Sequence, residues 1–184
     1  GTIGDNKESI IEVFENALAS ADILVSTGGV SVGDYDFVKD IVPKLGAEII
    51  FQGVGIKPGR HIMLAKYEKK FILALPGFAY SSTVTSILYV LPLLSKMLGK
   101  EKTYTTVEAK LSEDFTKRSP FTEFTACNVV VQDGEYFINF NDKKVGSSAI
   151  LTNMLNNSAL MISGEDDKNL EAGTYVNVIL LENF

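Results

Sequence analysis

The spacing of apolar and polar positions changes its period partway along the chain. From Asn6 to Ser20 the apolar residues Ile10, Ile11, Phe14 and Leu18 form one stripe of an amphipathic helix. Asp5 or Asn6 is placed to cap it, and Glu8 falls in the first turn, where the helix dipole favours an acid. Asp22 to Ser26 reads as a short buried strand. Tyr35 to Val42 returns to helical spacing and ends near Gly46, a C-cap glycine. Ala47 to Phe51 reads as a further strand. Arg60 to Lys66 and Lys70 to Ala74 are apolar runs joined by Tyr67-Glu68-Lys69, a length that suits a hairpin. A long helix is expected from about Tyr80 to Leu98, with Val84, Ile87, Leu88, Leu91, Leu94 and Leu98 on its apolar face. Pro92 should kink it and Gly99 end it.

Up to Gly99 helix and strand alternate, which argues for a mostly parallel sheet with helices on both faces. Beyond Lys100-Glu101-Lys102 the pattern becomes one of short strands and turns: Tyr104 to Leu111, Asn128 to Gln132, Glu135 to Asn139, Ala159 to Ser163 and Tyr175 to Leu181. Asp133-Gly134 between two β-rich runs is a two-residue hairpin signal. The expected organisation is an α/β domain over residues 1–100 and a small all-β domain over residues 101–184.

Composition narrows the function classes. The chain has 184 residues, 46% of them hydrophobic, enough for packed cores. A net charge of −6 disfavours a nucleic-acid-binding surface. The acid excess lies after residue 100, away from the glycine-rich stretch described below. The single cysteine, Cys127, excludes an internal disulfide and a cysteine-based zinc site, and His61, the single histidine, excludes a histidine-rich metal site. No apolar run is long enough to span a membrane and no leader pattern is present, so the chain reads as cytoplasmic. The opening Gly1-Thr2-Ile3-Gly4-Asp5 does not read as a natural start, and a fragment of a longer protein is expected.

Three loops follow strands in the first half and should emerge at one sheet edge, where open α/β sheets bind ligands. Thr27 to Asp36 offers Gly28, Gly29, Ser31 and Gly33 with the carboxylates of Asp34 and Asp36. Gln52 to Arg60 offers Lys57 and Arg60. Pro76 to Ser81 offers a Pro76-Gly77 turn and the Ser81 hydroxyl. Glycines let backbone N–H groups approach an anion. Two acids beside them call for a metal or a second cation, and Asp34 and Asp36 are hard oxygen ligands suited to magnesium. Each piece also has a plain structural reading. Gly-Gly makes a tight turn; Asp34, Asp36, Ser81 or Ser82 caps a helix; Lys57 and Arg60 are solvated charges; His61 is structural.

Taken together these residues resemble a known family. Ser26-Thr27-Gly28-Gly29-Val30-Ser31-Val32-Gly33-Asp34-Tyr35-Asp36 is similar to the S-[ST]-G-G-V-S-x-G-x-x-D-[YF] signature of molybdenum cofactor synthesis proteins. Ile56-Lys57-Pro58-Gly59-Arg60 resembles their K-P-G-[KR] loop, and Leu75-Pro76-Gly77 their L-P-G-N-P turn. Order and spacing match the molybdopterin molybdenumtransferase family, which includes MoeA and the matching domain of gephyrin. Val145-Gly146-Ser147-Ser148 and Ala172-Gly173-Thr174-Tyr175-Val176 fall where motifs of that family's C-terminal domain do.

The resemblance implies a magnesium-dependent insertion of molybdate into adenylylated molybdopterin with release of AMP, carried out by a homodimer. It implies that Asp36 is the acid needed for activity and that Asp34 and Asp36 hold the metal. Gly28, Gly29, Ser31, Gly33, Lys57, Arg60, Pro76, Gly77 and Ser81 would contact the pterin or nucleotide anions. Two departures stand out: Phe78-Ala79 replaces Asn-Pro, and Phe121-Thr122-Glu123-Phe124-Thr125-Ala126 keeps an acid-Phe pair without its usual arginines. The alternatives are a non-catalytic molybdopterin-binding or scaffold protein and, as a further option, the adenylyltransferase that precedes this step. Neither a nucleic-acid nor a membrane partner is expected.

Overall fold

The structure is a computed structural model that describes residues 1–4, 6–30, 37–101, 103–156 and 158–181. Its first element, α1 (Lys7–Ser20), buries Ile10, Phe14 and Leu18. Asn6 caps it, its side-chain oxygen accepting from the Ser9 N–H at 3.0 Å. Strand β1 (Ile23–Thr27) follows, then α2 (Val38–Lys44). Helix α2 closes with a Schellman pattern: Ala47 N–H donates to Val42 O at 3.3 Å and Gly46 N–H to Pro43 O at 3.0 Å, with Gly46 at φ +81°. Next come β2 (Glu48–Gln52), the short β3 (Ile56–Lys57), β4 (Met63–Tyr67) and β5 (Lys70–Leu75).

The first sheet has the order β1-β5-β4-β2. Only β1–β5 is parallel; β4–β5 and β2–β4 are antiparallel. The expectation of a mostly parallel sheet is therefore corrected to a mixed one. The cause is local. A parallel neighbour needs a crossover of about a dozen residues or more, whereas Glu68 and Lys69 alone connect β4 to β5, with Glu68 at φ +53°.

Along β5 the side chains alternate between two cores. Ile72 and Ala74 join the cluster under α1 and α2, while Phe71, Leu73 and Leu75 face the other side with Tyr89, Val90 and Leu93. Helices thus cover both faces of this sheet. The helix on the second face is interrupted: α3 (Ala79–Thr85) passes into a π-helical turn (Ser86–Val90) and then α4 (Leu91–Met97). The Leu91 N–H reaches back to Ser86 O. Pro92 supplies no N–H and its ring crowds the preceding turn, so the wider turn before it absorbs the kink.

The later strands are β6 (Thr105–Leu111), β7 (Phe115–Thr116), β8 (Thr122–Gln132), β9 (Glu135–Asn139), β10 (Ser158–Ser163), β11 (Asn169–Leu170) and β12 (Tyr175–Leu180), with a 3-10 turn at Leu151–Met154. They form a sheet of order β10-β12-β6-β9-β8-β3, and the extra β10–β8 pairing closes a ring of strands. The β8–β9 hairpin turns at Asp133 (φ +51°) and Gly134 (φ +83°).

The two sheets are tied together near the first strands of the second. Strand β3, from the first half, pairs in parallel with β8, setting Ile56 opposite Thr122 and Lys57 opposite Glu123. Helix α3 packs Tyr80 and Val84 with Ala126, Leu160 and Ile179. The Tyr80 hydroxyl donates to Phe124 O at 3.1 Å and accepts from the Ala126 N–H at 2.8 Å. Burial pushes this phenol well above the ordinary tyrosine range, so it stays a neutral bridge.

Candidate functional site

Strand β1 ends in a turn through Gly28 (φ +85°) and Gly29 (φ +72°), backbone that side chains rarely adopt. Gly28 N–H donates to Leu75 O at 2.9 Å, and Gly29 O accepts from the Val38 N–H at 3.1 Å. A methyl group on Gly29 would lie 2.8 Å from Val38 Cγ2, and one on Gly77 would lie 3.5 Å from Gly28 Cα. The glycine turn and the Pro76-Gly77 turn therefore abut at the end of the parallel β1–β5 pair. Gly28 and Gly29 border a cavity of about 480 Å³ that also takes in Phe37, Val38 and the N-terminal residues Gly1 to Gly4. Ser31, Gly33, Asp34 and Asp36 lie outside the described residues. Among the described residues no three His, Cys, Asp or Glu side chains group as a metal site.

A second cavity, of about 420 Å³, lies on the other side of the Pro76 turn. It brings together Lys57, Arg60, Pro76 and Ser81, which the sequence analysis singled out, and adds Phe78, Arg118, Phe121 and Ser148. Among the described residues its lining contains Lys57, Arg60, Arg118 and His61 but no carboxylate. Such a lining favours an anion.

The cations differ in what holds them. Lys57 Nζ is 3.4 and 3.5 Å from the two carboxylate oxygens of Glu123, a residue only 5% exposed. Its charge is thus compensated within the wall. Arg60 lies over the Phe121 ring at 5.0 Å, a cation–π contact. Arg118 is exposed and, among the described residues, makes no ion pair or hydrogen bond. Its neighbour Lys117 is 6% exposed and anchors the segment: Lys117 Nζ donates to the Gly164 carbonyl and to Glu165 O, and its N–H donates to Lys168 O at 2.8 Å.

Close packing brings the basic loop against α3. Gly59 has φ +101°, and a methyl group there would lie 2.2 Å from Thr85 Cγ2. Ser81 is buried, and its N–H and Oγ both point at Ser148 O, at 3.2 and 3.4 Å. It does not cap α3. That position belongs to Phe78, which makes no side-chain capping bond.

Arg118, Phe121 and Ser148 were not singled out as site residues. The one signal for Arg118 was a basic pair, Lys117-Arg118, directly before a Ser-Pro turn.

A family model described as a probable molybdopterin binding domain matches residues 1–96. A molybdopterin molybdenumtransferase of Staphylococcus epidermidis is 33% identical over 181 residues, covering 97% of this chain and 42% of its own length. One of Bacillus subtilis is 31% identical over 182 residues, covering 98% and 42%. The solved structure of a molybdopterin biosynthesis MoeA protein from Pyrococcus horikosii shares the fold, with a TM-score of 0.76 at 23% identity over 98% of this chain and 42% of that one. The chain thus spans less than half the length of these relatives.

Proposed function

Because the chain belongs to the family of the probable molybdopterin binding domain, we propose that it supplies the cofactor-binding part of a molybdopterin molybdenumtransferase. In this reading residues 1–100 are the α/β pterin-binding domain and residues 101–184 a β-rich C-terminal domain. The reaction is the insertion of molybdate into adenylylated molybdopterin with release of AMP, in the cytoplasm, by a homodimer. The observation that carries it is the cavity lined, among the described residues, by Lys57, Arg60 and Arg118 without a carboxylate, beside the Pro76-Gly77 turn that abuts the glycine turn of β1. Both substrates are anions, and cations in a partly enclosed site hold them against water.

Each residue has a role in this reading. Arg60 and Arg118 bind the oxyanions, and planar guanidinium groups suit bidentate contact with phosphate. The backbone at Gly28 and Gly29 lets a phosphate approach closely. Asp36 is the acid needed for turnover. Magnesium belongs to the proposal through the carboxylates of Asp34 and Asp36, where it would offset the negative charge of the substrate.

The test supplies adenylylated molybdopterin, molybdate and magnesium to the protein as its gene encodes it and measures AMP. Release is expected, with Asp36→Asn abolishing it and Arg118→Ala weakening substrate binding. Unchanged release in Asp36→Asn would sink the role of that carboxylate. The exposed Phe78 in place of an asparagine favours a second reading, a molybdopterin-binding protein without turnover. It predicts binding with no AMP from the intact protein.

A further inference from the structure

Phe78 is 63% exposed, the first residue after the Pro76-Gly77 turn and the capping position of α3. It belongs to none of the apolar clusters of the molecule, and among the described residues no ring or cation stacks on it. A large apolar side chain left in water forfeits burial free energy, and Phe78 returns no capping bond for it. Phe121 also stands outside those clusters and lines the same cavity, but Arg60 already covers its ring. Among the described residues Phe78 is thus an uncovered aromatic face in a cavity whose charged lining is cationic.

Resting on the proposed function, we infer that Phe78 is a specificity-determining residue of the basic cavity: its ring stacks on the planar heteroaromatic ring of a ligand whose phosphate is held by Arg60 and Arg118. The ligand class is a phosphorylated planar heterocycle, which adenine and pterin rings both satisfy. An aromatic side chain accepts either, because every such ring has a π-face. An asparagine at this position would offer amide hydrogen bonds and a helix cap in place of that surface. Phe78 therefore changes the basis of recognition from hydrogen bonding to stacking. The flanking cations argue against a protein surface docking on Phe78 alone, since an apolar contact would bury them unpaired.

The chain contains no tryptophan, so Phe78→Trp introduces a single tryptophan at the site, whose emission can be excited selectively over that of the tyrosines. The probes are AMP, neopterin monophosphate and ribose 5-phosphate, the last carrying the phosphate without a ring. Quenching of Phe78→Trp emission by AMP or by neopterin monophosphate, and not by ribose 5-phosphate, is expected. Phe78→Ala should weaken the ring-bearing probe by about tenfold, the scale of one aromatic–base stack, and leave ribose 5-phosphate within about twofold. The probe that Phe78→Ala loses identifies the ring. The inference is overturned if Phe78→Ala binds both ring-bearing probes like the wild type, or if its only effect is on oligomeric state. If the wild type binds none of the three phosphates, the anion-site reading falls, and the inference with it.

Discussion

Replacing Lys57 by methionine separates a structural role from a ligand-binding one. The substitution keeps an unbranched side chain of similar length and removes the only charge facing the Glu123 carboxylate among the described residues. Removing one partner of a fully buried ion pair costs about 3–5 kcal/mol, because the survivor is left charged and desolvated. Two features reduce that figure here. The Lys57 side chain is 32% exposed against 6% for Glu123, so water can reach the carboxylate once the ammonium is gone. The contacts of 3.4 and 3.5 Å are also long for charge-assisted hydrogen bonds. We expect a loss of about 2 kcal/mol, which for a chain of this size lowers the melting temperature by about 4–8 °C. Urea unfolding followed by circular dichroism measures it. The double variant Lys57→Met/Glu123→Gln removes the stranded charge and should recover about 1 kcal/mol or more. The reasoning is refuted if Lys57→Met unfolds within about 0.5 kcal/mol of the wild type, or if Glu123→Gln brings no recovery.

Gly59→Ala should cost about 3 kcal/mol, combining a strained positive φ with the clash against Thr85. Thr85→Ser removes the offending methyl while keeping the hydroxyl bonded to Ser81 O and Ser82 O, so the Gly59→Ala/Thr85→Ser double variant should melt above Gly59→Ala; equal melting would refute the packing argument. Burial pushes the Cys127 thiol up from 9.0 to about 12. The folded state then holds a proton that the unfolded chain gives up above pH 9.0, so stability from this group is full below pH 9.0 and falls as pH rises towards about 12. Subtracting the unfolding curve of Cys127→Ala should isolate that slope, at most about 1.4 kcal/mol per pH unit; a wild type and variant that lose stability in parallel over this window would contradict it.

Short-range patterns in the chain were legible where one physical cause dominates. The Asn6 cap, the Gly46 terminus, the Asp133-Gly134 hairpin and the Glu68-Lys69 connection each depend on a few neighbouring residues. The direction of the strands was not so plain, because Phe71 to Leu75 is buried on both faces and so shows no alternation to mark its partners. Its run of apolar residues fits a parallel or an antiparallel neighbour equally well. Only the length of the connection decides, and that favours the hairpin.

The site was half legible for a related reason. Lys57 and Arg60 stand three residues apart on one glycine-containing loop and read alike as solvated charges or anion contacts. What distinguishes them comes from a distant segment. The two-residue strand β3 pairs with the start of β8, which puts Glu123 on Lys57, Phe121 under Arg60 and Arg118 into the same cavity. A strand of two residues is too short to carry a hydrophobic period, so nothing along the chain announces that pairing. The consequence is chemical. Among the described residues Arg118 enters with no ion pair, while Lys57 holds a buried carboxylate. In the proposed anion site, the charge on offer is therefore set by the β3–β8 register, and a substitution that breaks that pairing should weaken phosphate binding without touching an arginine.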